Sequence, residues 1–141
     1  MRTKNKGGKW LRFKIFKSKQ KDRIHEKNTS NIEWPDHVVT INGENFDEFI
    51  KKYPLSVVDF WAPWCTPCRA MTPRLRRLSK IYKGRVAFGK LNTQENQDVP
   101  KQYKVMGIPH LMFFSYGKKI AEITGVRSIG ELKTLVDRFL N

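Results

Sequence analysis

Val57-Val58-Asp59-Phe60-Trp61-Ala62-Pro63-Trp64-Cys65-Thr66-Pro67-Cys68 holds both cysteines of a 141-residue chain. From Leu55 to Ala62 almost every residue is apolar, β-branched or aromatic, the pattern of a central strand buried on both faces. Pro63 breaks the run, and Met71, Leu75, Leu78, Ile81 and Tyr82 then recur at helical spacing. The Cys-x-x-Cys therefore falls where a buried strand hands over to a helix N-terminus. Free backbone N–H groups and a partial positive charge at that end favour a thiolate over a thiol. Residues three apart on a regular helix have Cβ atoms roughly 5–6 Å apart, too far for a disulfide. Cys65 is therefore expected at the cap, off regular geometry, as the exposed thiol, with Cys68 as its shielded partner in the first turn. Pro67 suits that turn, because it needs no N–H there and its φ is preset.

A chain of this length is expected to hold one domain. The formal charge is +15, unevenly spread: residues 1–33 carry eleven Lys/Arg against three Asp/Glu, a net +8, leaving +7 for the rest. Residues 1–33 are read as a basic, disordered extension with one aromatic patch, Trp10 to Lys17, and residues 34–141 as the folded domain. Two cysteines three apart make no disulfide framework, and they fit a reducing compartment where disulfides are transient. The basic N-terminus lacks an apolar core, so it reads as neither a secretory signal nor a membrane span, and a cytoplasmic location is expected. Zinc needs four ligands, and His25, His37 and His110 lie at no ligand spacing from the cysteine pair, so no metal is expected.

The remaining elements follow in order. Val38 to Ile41 reads as a short strand, and Asn45 with Glu48 as a capping pair for a helix through Phe46, Phe49 and Ile50. Pro73 lies inside the long helix, which Gly84 ends. Val86 to Asn92 reads as a second interior strand and Asn96 to Tyr103 as a short helix. His110–Phe114 and Lys119–Thr124 form a hairpin around Tyr116-Gly117, and Ser128 with Glu131 caps the last helix. Strands alternating with helices, then a hairpin and a helix, give an α/β architecture with a mixed sheet.

Asp59 stands out as an ionisable group in an apolar strand, where burial raises its pKa and makes it a candidate proton carrier at neutral pH. The competing reading is a strand-end carboxylate that reaches solvent. Arg69, Arg74, Arg76, Arg77, Lys80, Lys83 and Arg85 read first as a solvated face, with Arg69 as secondary support for a Cys65 thiolate.

The segment from Val58 to Cys68 resembles the active site of the thioredoxin family. The likeness continues through Pro73, Lys90-Leu91-Asn92, Gly107-Ile108-Pro109 and Gly125, in order, over about Trp34 to Asn141. Thr66 stands where the family usually has Gly, and His110 where Thr is usual. The resemblance implies a thioredoxin-like fold, a central mixed β-sheet flanked by helices on both faces. It also implies a protein dithiol–disulfide oxidoreductase acting through a Cys65/Cys68 redox disulfide. Asp59 would handle the proton of the second cysteine with Lys90 nearby, where Lys90 alone would read as a surface lysine. Pro109 would be a cis-proline facing the disulfide, exposing the Ile108 backbone to a target strand. Trp61, Trp64, Thr66, Pro67, His110 and Gly125 would complete the target-binding surface; Trp61 equally reads as core and His110 as a polar neighbour.

No bound cofactor is implied; a thioredoxin reductase-like partner would supply reducing equivalents, and disulfide-containing proteins would be the targets of a monomer. Two other classes stay in view. One is a binding module whose basic tail contacts nucleic acid or an anionic membrane surface; the other is a disulfide-forming oxidant, which would want an oxidising compartment.

Overall fold

The computed structural model describes residues 31–140. In chain order the elements are β1 (Val39–Ile41), α1 (Phe46–Lys52), β2 (Ser56–Trp61), α2 (Thr66–Ile81), β3 (Ala87–Asn92), α3 (Asp98–Gln102), β4 (His110–Ser115), β5 (Lys118–Thr124) and α4 (Ile129–Leu140). The strands form one sheet in the order β1-β3-β2-β4-β5. β1, β3 and β2 run parallel, β4 is antiparallel to β2, and β5 is antiparallel to β4. The sheet is mixed, and its centre is β2.

The apolar run that begins at Leu55 fills that central place because both of its faces are covered. On one face Val57, Phe88, Leu111 and Phe113 pack with Met71, Leu75 and Leu78 of α2 and with Leu132 and Val136 of α4. On the other, Phe114 meets the rings of Phe46 from α1 and Tyr103 edge-on, each at 5.7 Å between centroids. Side chains alternate along a strand, so Asp59 and Trp61 share the Val57 side. Gly89 sits in register between Val39 of β1 and Val58 of β2, and a Cβ there would come within 2.7 Å of the Ile41 Cγ1. Only glycine lets the Ile41 side chain approach β3 so closely.

Local signals fared unevenly. The Ser128–Glu131 box forms as expected: the Ser128 N–H donates to Glu131 Oε1 at 2.9 Å and the Glu131 N–H to Ser128 Oγ at 3.1 Å. Asn45 occupies the cap of α1, yet its side chain makes no cap bond. It accepts instead from the Asn42 N–H at 2.7 Å, within an asparagine turn that Asn42 closes by accepting from the N–H groups of Glu44 and Asn45. Ile81, expected on the buried side, is exposed, because α2 ends there and Tyr82 turns inward. The Tyr82 hydroxyl donates to Asp137 Oδ1 at 2.6 Å and so ties the end of α2 to α4. The hairpin turns on Tyr116 (φ 46°) and Gly117 (φ 90°), the two positive-φ positions of a tight two-residue loop. The Trp10 to Lys17 patch, for which a nucleic-acid or membrane contact is the alternative reading, lies outside the described residues.

Candidate active site

Cys65 is the N-cap of α2, with extended backbone angles (φ −90°, ψ 105°), and the Cys68 N–H donates to its Sγ at 3.2 Å. Thr66 and Pro67 form the first two positions of the helix, so the ring of Pro67 occupies a place that needs no donor. Cys65 and Cys68 are joined as a disulfide with Cα atoms 5.3 Å apart. The helix end thus aims an N–H and the positive end of its dipole at the Cys65 sulfur. The Arg69 guanidinium, one turn on, donates to the Pro63 carbonyl at 3.1 Å and adds positive charge on the same side. The expected contrast between an exposed Cys65 and a shielded Cys68 is not seen. Both are buried, at 4% and 2% exposure, because Trp61, Ala62 and Ile108 pack around the pair.

Asp59 is 3% exposed, and its Oδ1 has no hydrogen-bond partner among the described residues. Burial pushes its carboxyl up to about 7, against the opposing pull of the Lys90 ammonium. Parallel pairing sets Asp59 directly beside Lys90 in the sheet. The Lys90 ammonium lies 6.0 Å from the Trp61 ring centroid, so this half-buried lysine is held over the indole and is not simply splayed into solvent. Asp59 does not reach solvent, and Trp61 both packs against the cysteines and stays partly exposed.

The Ile108–Pro109 peptide is cis. The Gly125 N–H donates to the Pro109 carbonyl at 2.8 Å, with Gly125 at φ +98°, a conformation that favours glycine. This bond fixes the loop before β4 to the end of β5. His110 is buried, and both ring nitrogens point to β5: Nδ1 lies 2.7 Å from Thr124 Oγ1 and Nε2 lies 3.0 Å from Glu122 Oε1. A polar neighbour bonded within the sheet is therefore the better description of His110 than a group facing the thiols. Trp64, 69% exposed, stands beside Cys65, and Thr66 and Pro67 are exposed with it. Met106, at 92% exposure two residues before Ile108, and the exposed Val126 beyond Gly125 extend this apolar rim. Neither was singled out from sequence, although an apolar residue in a glycine-containing turn is the signal that would have found Met106. Among the described residues no cluster of three or more His, Cys, Asp or Glu is placed to hold a metal ion.

This arrangement can be compared with known proteins. The thioredoxin family model matches residues 37–138. Thioredoxin from Pseudomonas aeruginosa is 38% identical over 103 residues, which are 72% of this chain and 95% of that protein. The chloroplastic M-type thioredoxin of Spinacia oleracea is 35% identical over 105 residues, 74% of this chain; the chain spans 58% of that protein's length. Among solved structures, a mutant thioredoxin from Halobacterium salinarum NRC-1 superposes with a TM-score of 0.72 at 27% identity, covering 79% of this chain and 97% of that one. Fold, cysteine geometry and sequence agree, and the chain belongs to the thioredoxin family.

Proposed function

We propose that the protein reduces disulfides in other proteins by dithiol–disulfide exchange, and the observation that carries this is the Cys65–Cys68 pair closed across a helix cap with an N–H on the Cys65 sulfur. In the reduced protein Cys65 as thiolate attacks one sulfur of the target disulfide. A Cys65–target bond forms, and the other target sulfur leaves as a thiolate that takes a proton from solvent. Cys68 then loses its proton to Asp59 and attacks the Cys65 sulfur. The internal disulfide closes, and the second target sulfur leaves and is protonated. Two electrons pass from the protein to its target, and the two protons the target gains are balanced by the one Cys68 releases and one drawn from solvent.

A buried carboxyl that titrates near neutrality is suited to the Cys68 step, because it can both accept and return a proton at working pH. Lys90 lies close enough to Asp59 to favour its ionised form. Trp61, Trp64, Thr66, Pro67, Ile108, Pro109 and Gly125 form the docking surface, with His110 bracing the proline loop from β5. A reductase in the same compartment would return the electrons, making the protein an electron carrier. Cysteine usage favours a reducing compartment such as the cytoplasm, and no described helix is long and apolar enough to cross a membrane.

The test is the pair of single variants. Cys65→Ser should abolish reduction. Cys68→Ser should attack but fail to resolve, accumulating mixed disulfides with its targets. Normal turnover by Cys68→Ser, or trapping by Cys65→Ser, would reverse the assignment.

A further inference from the structure

Asp59 lies on the floor of a pocket of about 180 Å³ between β1, β2, β3 and α2. Its walls carry Thr72, Ser79, Arg76, Lys80 and Lys90, with Asp36 and His37 ahead of β1 also lining it. The chemistry of this lining is specific. The Thr72 hydroxyl donates to the Cys68 carbonyl at 3.3 Å and the Ser79 hydroxyl to the Arg76 carbonyl at 2.8 Å, so both hydrogens are engaged and both oxygens have only lone pairs left to offer. Asp59 also lines the pocket, and its carboxylate, whose buried Oδ1 is unpartnered among the described residues, adds a third acceptor group. A small donor satisfies such a pocket, while the three cations exclude an ammonium ligand. Water meets both conditions, and the volume admits several molecules.

We propose that this pocket is the route by which Asp59 exchanges its proton with solvent, and that His37 is the group that takes the proton at the mouth. The inference rests on the reading of Asp59 as the base for Cys68. During resolution the target covers the cysteine face, so a proton taken by Asp59 needs a way out that the target does not block. Free hydronium is a poor carrier here, since Arg76, Lys80 and Lys90 all repel it. One anionic spot offsets them. Asp36 is exposed, the hydrogen bond from the His37 ring holds its carboxyl below the usual range, and the contact is 3.0 Å from Nδ1 to Oδ1. A ring that donates its Nδ1–H to Asp36 presents Nε2 as the acceptor, and the imidazolium formed on protonation lies against a carboxylate. The proton passes from Asp59 through pocket water to His37 Nε2 and then to bulk, leaving Asp59 ionised. No covalent bond between heavy atoms changes.

The experiment follows the resolution of a preformed Cys65 mixed disulfide in single turnover, in dilute buffer, with the full chain. His37→Gln should slow resolution by at least about threefold, and added imidazole should restore it. Val38→Phe, which fills the pocket from the end of β1, should slow resolution without imidazole rescue and raise the Asp59 midpoint in a carbon-13 titration. Ser79→Leu serves the same purpose should Val38→Phe not fold. A wild-type rate for His37→Gln, or slowing that imidazole leaves unchanged, overturns the relay. A wild-type rate in a folded, pocket-filled variant overturns the route. Asp59→Asn is the control: if it too resolves at the wild-type rate, the role of Asp59 itself is wrong, whereas a slow Asp59→Asn with a normal His37→Gln overturns the relay alone.

Discussion

At the scale of single residues, Asp59 trades stability for chemistry. Its carboxyl titrates near 4 in an unfolded chain and at about 7 in the fold, raised by burial. The folded protein therefore holds this proton more tightly than the unfolded chain does. Stability from this group is intact below pH 4, declines between pH 4 and about 7 as only the unfolded state ionises, and is level above that. The rise from near 4 to about 7 corresponds to a difference on the order of 4 kcal/mol. Asp59→Asn should remove the decline, so denaturant melts of the variant and the parent should coincide near pH 4 and diverge towards pH 8, with the variant more stable. Parallel curves across that range would show that Asp59 is not desolvated as described. Asp59 was legible from sequence because a carboxylate in an apolar strand is anomalous. The near-equal burial of Cys65 and Cys68 was not, since it depends on Trp61, Ala62 and Ile108 converging on the pair.

At the scale of elements, the same four-residue pattern gave two outcomes. Ser128-x-x-Glu131 makes both reciprocal bonds of a capping box, whereas Asn45-x-x-Glu48 makes neither. The difference lies in what precedes each cap. Asn42 follows β1 and organises the backbone of Glu44 and Asn45 around its own side chain, so Asn45 is recruited into that turn before it can cap α1. A pattern confined to the cap and N3 cannot report this competition. Ser128→Ala should cost about 1 kcal/mol in denaturant unfolding. Glu48→Ala should be nearly neutral, within about 0.5 kcal/mol, as for an ordinary surface change. Equal losses from the two would mean that Glu48 caps α1 after all. Strand identities were easier to read, because β2 and β4 are interior strands with near-continuous apolar runs, and the third interior strand, β3, carries Ala87, Phe88 and Leu91. β5 lies at the sheet edge with mostly exposed residues, and its place was legible only through the positive-φ turn at Tyr116-Gly117.

At the scale of the whole molecule, charge and catalysis are expected to separate. Every group assigned to the reaction lies beyond residue 35, and Trp34, near the start of the described residues, is held by its ring 5.2 Å from that of Tyr53. Residues 1–33 contribute +8 of the formal +15 and none of those groups. A chain beginning at Trp34 should therefore fold and resolve mixed disulfides at the parent rate. What it should lose is attraction. Long-range charge raises encounter rates with oppositely charged partners and fades as salt shortens the screening length to about 8 Å near physiological ionic strength. With an acidic protein disulfide as substrate, the full chain should react faster than the shortened one at low salt, and the two rates should converge as salt is added, with the difference confined to the bimolecular attack by Cys65. A basic substrate should show the reverse order at low salt, because the extension then adds repulsion. A loss of rate that persists at high salt, or that falls on the resolution step, would place residues 1–33 within the catalytic domain and move its boundary towards the N-terminus.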